Sequence, residues 1–488
     1  MSNSVFAGLQ PAIVWQHFAT LCATPRLSKQ EGALRDRLLA WAAARGLAAT
    51  VDGAGNLIIR KPASPGHERA PGIVLQAHLD MVCQKNADSV HDFSRDPIVP
   101  ISREGWLQAV GTTLGADNGI GVALILAALE DTRLLHGPLE ALLTVDEEAG
   151  MGGARGLASG VLQGNLMLNL DTEVWGEFYL GCAGGLDVDV LRADEGEALP
   201  EGWTVRRIAL RGLRGGHSGV DIHEERGNAL KLMVGILHDL AGEFPYRLVA
   251  LNGGTARNAL PREAFATLAL PDATGLQAWL ERRQAVMREL LRGVDEGLTL
   301  SAEAATAERV LDHQAQFVWL ASLHAAPHGV RRMSRQVPGV VETSNNLGMV
   351  DIGPDGGRCN FMVRSLVDAA ATALADEIVS LFALSGTAAE KSGQYPGWAP
   401  NPGSALLKTC QAVFRRDFAS ESSVQVIHAG LECGIIGAKY PGLDIVSFGP
   451  TIRGAHAPGE AVEIASVGRC WDLLRAILGE LAQQEGRA

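Results

Sequence analysis

Apolar positions follow two different patterns along the chain. Up to about residue 183, and again near the end, they form mostly apolar runs such as Leu139–Val145 and Leu443–Phe448. Such runs are typical of strands buried on both faces of a parallel sheet, although a short buried helix gives the same pattern. From about Gly184 the apolar positions alternate with polar ones. The pattern predicts an α/β domain with a mostly parallel sheet flanked by helices (residues 1–183 and 396–488), interrupted by an inserted α+β domain (residues 184–395).

Helical spacing and turn residues mark further elements of the first domain. Two amphipathic helices, Pro11–Cys22 and Ser28–Arg45, are predicted near the N-terminus, with Ser28 as the cap of the second. A strand pair over Leu47–Arg60 turns at a glycine-rich segment. The remaining predicted elements are the strands Gly72–Asp80 and Asn165–Asp171 and the helix Val122–Leu129.

The inserted region alternates strands with helices. The predicted strands are Leu186–Leu191, Trp203–Arg211, Arg247–Asn252, Phe265–Leu270, Val340–Ile352 and Arg358–Arg364. The predicted helices are Asn228–Leu240, Leu276–Arg292 and Asp368–Leu384. This alternation is the basis for the α+β prediction.

Three consecutive acids, Asp146, Glu147 and Glu148, follow the apolar run Leu139–Val145. Carboxylates at the end of a core strand are costly to desolvate unless a positive partner lies beside them. Arg155 is the only basic side chain close in the sequence. A metal is therefore the favoured partner, and an acidic loop at a solvated sheet edge is the alternative.

Other apolar segments also end in candidate ligands. His78 and Asp80 end one strand, Asp171 ends another, Asp117 lies in a glycine loop, and His456 follows Leu443–Phe448. The glycine loop lacks the G-K-[ST] ending of a phosphate-binding loop. Because ligands of an open α/β sheet bind outside the carboxyl ends of its strands, we expect these side chains to meet there. Two histidines with three carboxylates suit two zinc ions bridged by one carboxylate.

Composition and charge narrow the possible partners. The chain has 488 residues and a net charge of −13, which disfavours nucleic acid or an anionic membrane surface as the main partner. No apolar run approaches the ~20 residues needed to cross a bilayer. The seven cysteines are scattered without a C-x-x-C pair, and the first residues lack the features of a signal peptide. We therefore expect a cytoplasmic protein without a cysteine zinc finger.

Short motifs, in order along the chain, carry a family resemblance. They are His78–Asp80, Gly115–Asn118, Thr144–Glu148, Asp171–Glu173 and His456–Glu460. They resemble the motifs of the di-zinc metallopeptidases of the carnosinase and aminoacylase superfamily. Within it, the longer matches resemble the bacterial aminoacyl-histidine dipeptidases, and these are Leu168–Glu173, Gly215–Gly219, Asn252–Pro261, Val341–Leu347 and His428–Gly434.

The resemblance implies a ligand set for two Zn²⁺ ions, with Co²⁺ or Mn²⁺ as substitutes. One zinc takes His78 and Asp171, and the other takes Glu148 and His456. Asp117 bridges the two.

The resemblance also implies roles outside the ligand set. Glu147 is the general base, and Asp80 orients the first metal histidine. In this family the inserted domain is a lid that also forms a homodimer. The resemblance makes His217, in that domain, the stabiliser of the oxyanion, either in its own site or in that of the partner subunit. Asn258 and Arg364 bind the substrate, and Arg364 pairs with the α-carboxylate of that substrate.

The expected function is the hydrolysis of Xaa-His and related dipeptides, including β-alanyl-histidine. The alternatives are another metallohydrolase of the superfamily (a tripeptidase or an N-acyl amino acid deacylase) or a non-catalytic metal-binding protein. For His428 and Glu432 the sequence leaves two interpretations open, pocket lining and helix capping.

Overall fold

The computed structural model describes residues 5–86 and 88–484. The chain forms two compact units. Unit 1 comprises Met1–Gly181, Pro400–Val426 and Leu431–Ala488, and unit 2 comprises Cys182–Ala399 and Ile427–Gly430. Residues 182–183, 396–399 and 427–430, which the sequence pattern assigns to the first domain, are thus grouped with unit 2.

A mixed sheet forms the centre of unit 1. Its central strands are buried and run parallel in the order Leu139–Thr144, Ile73–His78, Leu166–Asn169 and Asp444–Ser447. Antiparallel pairing joins Leu57–Lys61 to one side of this group and Glu177–Cys182 to the other. The outermost strands are Ala48–Val51 and Ser423–Ile427. The predicted α/β class is confirmed, with the parallel pairing located in the central strands.

Helices pack with this sheet around one hydrophobic core. The helix Ala116–Glu130 is apolar around its whole circumference and is buried along nearly all its length, as such a sequence requires. The other helices of unit 1 are Ala12–Cys22, Gly32–Ala43, Gly152–Gly156, Ala405–Phe418, Glu432–Lys439 and Ile464–Ala482. A smaller sheet contains the strands Pro100–Arg103, Trp106–Ala109, Ala461–Glu463 and Ile452–Arg453.

The predicted helix cap at Ser28 is wrong. The helix begins at Gly32, and Glu31 occupies its N-cap position. Ser28 Oγ instead donates a hydrogen bond of 2.7 Å to Asp80 Oδ2. A hydrogen bond to a carboxylate is stronger than one between neutral groups, so this long-range contact prevails over the local cap.

An antiparallel sheet organises unit 2. Its strands follow the order Thr299–Ala304, Thr204–Arg211, Ala264–Leu270, Arg247–Gly253, Val341–Gly353, Gly356–Ser365, Gly184–Ala193 and Ala388–Tyr395, and Gly329–Met333 pairs with Val341–Gly353. The helices are Ala229–Leu240, Leu276–Leu290, His313–Ala325 and Asp368–Ala383, with a 3₁₀ turn at Ile222–Glu224. Two short strand pairs complete the unit, Glu197–Ala198 with Arg309–Val310 and Gly216–His217 with Ala259–Leu260. Within residues 5–86 and 88–484, no helix has the length and apolar character required to cross a membrane.

Candidate active site

Parallel pairing brings the ends of neighbouring strands to one edge of the unit 1 sheet. His78, the last residue of its strand, pairs with Thr144, the last residue of the next strand. On its other side the same strand runs parallel to Leu166–Asn169, which Asp171 follows. The fold therefore delivers His78, Asp171 and the acids after Thr144 to the crevice at the carboxyl ends of the strands.

Asp117 lies between two histidines. Its Oδ1 is 3.2 Å from His78 Nε2, and its Oδ2 is 3.2 Å from His456 Nε2. Asp171 Oδ1 is 3.4 Å from His78 Nε2, and Glu148 Oε1 is 3.2 Å from His456 Nε2. The structure thus brings the five predicted ligands together as two histidine–carboxylate groups that share Asp117.

This donor set fits a pair of divalent cations. Imidazole nitrogens and carboxylate oxygens are ligands that Zn²⁺ takes in proteins. One ligand atom from each of His78, Asp117 and Glu148 can be chosen so that all lie within 4.8 Å of one another. Glu148 Oε1 is buried and faces His456 Nε2 at 3.2 Å, so a cation bound by both atoms is a suitable partner for this carboxylate. The residues can therefore hold one cation on each side of Asp117.

The charges of this cluster shift its pKa values. Burial lowers the pKa of His78, but the carboxylates of Asp171, Asp117 and Asp80 outweigh burial and raise it well above its ordinary value. Hydrogen bonds to Asp117 and Glu148 raise the pKa of His456 to about 11. A metal that binds here therefore has to displace a proton from each imidazole.

Asp80 connects His78 to the acidic loop. Its Oδ1 is 3.4 Å from His78 Nδ1. The Asp80 carboxylate also accepts hydrogen bonds from the backbone N–H groups of Glu147 (3.0 Å) and Glu148 (3.1 Å). Burial raises the pKa of Asp80, but the hydrogen bond and charge of His78, with hydrogen bonds from Ser28 and the N–H of Glu147, lower it to about 2. An ionised Asp80 keeps a proton on His78 Nδ1 and leaves Nε2 for a metal.

Glu147 belongs to neither of the two ligand groups, but their charges act on its carboxyl group. Burial raises the pKa of its carboxyl group well above the ordinary value, His78 opposes the shift, and the charges of Glu148 and Asp171 add to it. A carboxyl group with a raised pKa can both accept a proton and hold it at neutral pH. Glu147 therefore has the electrostatic environment of a general base that later returns its proton.

Glu432 is a buried carboxyl group at the start of the helix Glu432–Lys439. No side chain caps that helix, so the capping interpretation is wrong for Glu432. Its Oε2 accepts hydrogen bonds from Gln76 Nε2 (2.7 Å) and Thr144 Oγ1 (2.6 Å). Burial raises its pKa to about 7. Glu432 thus ties the helix to two central strands of the sheet.

His217, in unit 2, has a defined tautomer. Its Nδ1 accepts hydrogen bonds from the backbone N–H groups of Gly219 (3.2 Å) and Val220 (3.0 Å). A nitrogen that accepts hydrogen bonds carries a lone pair, so the ring proton of the neutral imidazole lies on Nε2. The backbone N–H of His217 donates to Asp221 Oδ2 at 2.7 Å, which fixes the turn. The Nε2–H group is therefore a hydrogen-bond donor, as an oxyanion stabiliser requires.

Arg364 is a buried cation in unit 2. It is 4% exposed, and among the described residues its side chain bonds only neutral oxygens. Nε donates to Ser218 Oγ at 3.4 Å, and Nη1 donates to Tyr395 Oη at 2.8 Å. Asn258 is exposed nearby, and its backbone oxygen accepts from the N–H of Ser218 at 2.8 Å. A buried guanidinium without an anion is costly, so this arrangement suits an anionic ligand.

His428 lies close to Arg364 within unit 2. Its Nε2 is 2.8 Å from Ser344 Oγ. Burial, followed by the charge of Arg364, lowers the pKa of His428 to about 3, so the ring stays neutral. Its backbone oxygen lies 1.9 Å from the position that a Cβ on Gly219 would take. The glycine at 219 is therefore required for the backbone around His428 to approach.

Residues 74–480 match the model of peptidase family M20/M25/M40. The chain belongs to this family. The matched range of this M20/M25/M40 peptidase includes the five candidate metal ligands and also Glu147, His217 and Arg364.

Two relatives match almost the full length of the chain. The cytosol non-specific dipeptidase of Escherichia coli strain K12 is 43% identical over 481 residues, which cover 98% of this chain and 99% of that protein. The crystal structure of an aminoacylhistidine dipeptidase from Vibrio alginolyticus is 44% identical, with a TM-score of 0.86 over 98% of each chain. A tripeptidase from Staphylococcus aureus, 16% identical with a TM-score of 0.56, covers 98% of this chain and 100% of its own, and shares the fold alone. The predicted resemblance to the bacterial aminoacyl-histidine dipeptidases is confirmed.

Arg26 is a part of the site that sequence reasoning missed in this M20/M25/M40 peptidase. Its buried guanidinium donates to the backbone oxygens of Leu79 (3.0 Å), Asp80 (2.8 Å) and Gly115. It therefore joins the end of one ligand strand to the glycine loop. Hydrogen bonds to backbone carbonyls require no complementary side chain, so nothing in the sequence pattern indicates them.

Glu460 was also missed as a functional residue. Its carboxylate accepts hydrogen bonds from four consecutive backbone N–H groups, those of Leu114 (2.8 Å), Gly115 (2.8 Å), Ala116 (2.7 Å) and Asp117 (3.2 Å). The available signal is its position in the motif His456–Glu460. Glu460 thus links the glycine loop that carries Asp117 to the loop that carries His456.

Proposed function

We propose that this chain is a metal-dependent dipeptidase that hydrolyses Xaa-His and related dipeptides, including β-alanyl-histidine. The observation that carries the proposal is the position of Asp117, whose two oxygens each lie 3.2 Å from a different histidine. The two full-length relatives, one named a non-specific dipeptidase and the other an aminoacylhistidine dipeptidase, support a dipeptidase. The two names differ on specificity, so the substrate panel below tests separately whether the dipeptide needs a C-terminal histidine.

The proposed cofactor is a pair of Zn²⁺ ions, with Co²⁺ or Mn²⁺ as substitutes. His78 with Asp171 would hold one ion and His456 with Glu148 the other, and Asp117 would contact both. When bound, such ions polarise a carbonyl oxygen and lower the pKa of water towards neutrality. Charge supports the assignment, because three ligating carboxylates offset most of the charge of two divalent cations.

Glu147 is the proposed general base. One oxygen of its carboxylate accepts the proton of the attacking water, and the same group then returns the proton to the leaving amine. Burial and the neighbouring carboxylates favour a Glu147 that retains the proton between the two steps. Asp80 supports this role because it holds the backbone N–H groups of Glu147 and Glu148.

Unit 2 supplies the proposed substrate contacts. His217 donates from Nε2–H to the oxygen that becomes negative during attack, a role consistent with the hydrogen bonds to its Nδ1. Arg364 binds the α-carboxylate of the dipeptide, and Asn258 assists it. An additional C-terminal residue would separate that carboxylate from Arg364, and a buried charge without its partner costs about 2–5 kcal/mol. This cost would favour dipeptides over longer peptides.

A substrate panel with chelated and reconstituted enzyme tests the proposal. The panel contains Xaa-His dipeptides, dipeptides without histidine, tripeptides and N-acetyl amino acids, each measured with Zn²⁺, Co²⁺ and Mn²⁺. We expect dipeptides to be cleaved fastest, Xaa-His among them, and Asp117→Ala to be inactive under every condition. Faster cleavage of tripeptides or acetylated amino acids would contradict the dipeptidase proposal. Cleavage of dipeptides without histidine but not of Xaa-His dipeptides would contradict only the Xaa-His part.

We also propose a homodimer and a cytosolic location. The resemblance implies a dimer formed through the inserted domain, and the name of the E. coli relative supports the location. Sedimentation velocity tests the first proposal, and a monomeric mass at micromolar concentration would contradict it. Fractionation of the source cells tests the second.

A further inference from the structure

Arg364 and Tyr395 meet above a glycine. Arg364 lies in the strand Gly356–Ser365 and Tyr395 ends the strand Ala388–Tyr395. Both strands pair with Gly184–Ala193, and both residues have Gly185 as their register partner. Directly paired residues of neighbouring strands face the same side of a sheet. The two long side chains therefore reach towards each other over a position that has no side chain.

Gly185 leaves the room that this contact needs. A Cβ at position 185 would lie 2.8 Å from Tyr395 Oη, closer than non-bonded contact permits. The pairing with Gly184–Ala193 is also irregular between Ser392 and Tyr395. Such irregularities re-aim the side chains beside them. Two features of the backbone thus place the Tyr395 hydroxyl against the guanidinium of Arg364.

The hydroxyl groups around Arg364 fix its orientation but do not neutralise it. Tyr395 Oη accepts from Nη1 and Ser218 Oγ accepts from Nε, so two donors of the guanidinium are engaged. The other N–H groups of the planar fork then point in a fixed direction. A side chain held in its binding orientation loses less conformational entropy when a ligand arrives.

We propose that Tyr395 is a positioning residue for substrate specificity. It holds Arg364 so that the remaining N–H donors accept the α-carboxylate of a dipeptide. This inference rests on the proposed function, in which Arg364 binds that carboxylate. It adds that the discrimination between a free acid and an amide depends on the Tyr395 hydroxyl.

The test compares Tyr395→Phe with Tyr246→Phe. Tyr246 is a matched control, because it is also a buried tyrosine of unit 2 and its hydroxyl donates a single hydrogen bond, to Leu237 O at 3.0 Å. Each variant is assayed on an Xaa-His dipeptide and on its C-terminal amide. For Tyr395→Phe we expect KM for the free acid to rise about tenfold, with kcat and the constants for the amide within about twofold of wild type. For Tyr246→Phe we expect all four constants to stay at wild-type values.

Arg364→Ala separates failure of this inference from failure of the proposed function. If Arg364→Ala loses the preference for the acid while Tyr395→Phe keeps it, the positioning role of Tyr395 is overturned and the carboxylate contact stands. If Arg364→Ala also keeps the preference, the carboxylate contact itself is wrong. Ser218→Ala provides a second test should Tyr395→Phe fold poorly. It removes the hydrogen bond to Nε, and we expect a smaller rise in KM for the acid alone; an unchanged KM would overturn the positioning scheme.

Discussion

Glu460 binds the backbone that carries Asp117. Its carboxylate accepts hydrogen bonds of 2.7–3.2 Å from the N–H groups of four consecutive residues ending at Asp117. Asp117 in turn faces both candidate metal histidines. The position of the proposed bridging carboxylate therefore depends on a residue that is not itself one of the candidate metal ligands.

Glu460→Gln should weaken metal binding. A glutamine amide offers one acceptor oxygen and one NH₂ group, so two of the four backbone N–H groups would face a donor instead of an acceptor. Loss of supporting contacts around metal ligands typically costs ~10–100-fold in affinity. Titration calorimetry with Zn²⁺ measures the change. Glu463→Gln is the control, because Glu463 lies in the adjacent strand and pairs with Arg469. Equal affinity in the two variants would show that the loop holds Asp117 without Glu460.

Glu147→Ala and Asp117→Ala should separate chemistry from metal binding. Glu147 lies outside the two histidine–carboxylate groups, so its removal should lower kcat by ~10²–10⁴-fold and leave the bound zinc near its wild-type amount. Asp117 faces both histidines, so Asp117→Ala should lose metal and activity together. Elemental analysis alongside steady-state kinetics distinguishes the two results. Wild-type turnover in Glu147→Ala would require another base.

The ends of the strands were predictable from the sequence because burial and charge conflict there. The mostly apolar residues before His78, and those before Glu147 and Glu148, predict buried strands. The polar side chains at the ends of these strands then need a partner. Arg26 and Glu460 were not predictable, because their partners are backbone groups far away in the chain. Ser28 was assigned to a cap because the local pattern before a helix is the same whether or not a distant carboxylate competes for the hydroxyl.

Metal binding should release protons, and the affinity for the metal should decrease as the pH decreases. The pKa of His78 is raised well above its ordinary value and that of His456 is raised to about 11, so at pH 7 both imidazoles are protonated until a metal displaces the protons. Each displaced proton should reduce the apparent affinity about tenfold per pH unit below that pKa. Calorimetry in buffers of different ionisation enthalpy counts the protons released.

The histidine contribution to this release can be isolated. A water that ionises on binding also releases a proton, and His456→Ala serves as the comparison. We expect this variant to release about one proton fewer than wild type at pH 7. Identical proton release would mean that His456 is already deprotonated in the protein and that its raised pKa is wrong.

His217→Ala should reduce kcat without affecting the metals. Nδ1 accepts from the backbone N–H groups of Gly219 and Val220, so the ring proton lies on Nε2, the donor that the proposal assigns to the developing oxyanion. Removal of one such donor typically lowers kcat by ~10²–10³-fold with little change in KM. His223→Ala is the matched control, since His223 is an exposed histidine on the nearby turn Ile222–Glu224.

The substitution His217→Asn sharpens this last test. An asparagine can accept the two backbone N–H groups through its Oδ1, but its NH₂ donor does not reach as far from the backbone as the imidazole Nε2–H. If His217 acts through an oriented Nε2–H, the asparagine variant should recover little of the lost kcat, and the zinc content of both variants should match wild type. If either variant loses zinc, His217 contributes to metal binding instead. A kcat within about twofold of wild type in both variants would remove His217 from the proposed oxyanion site.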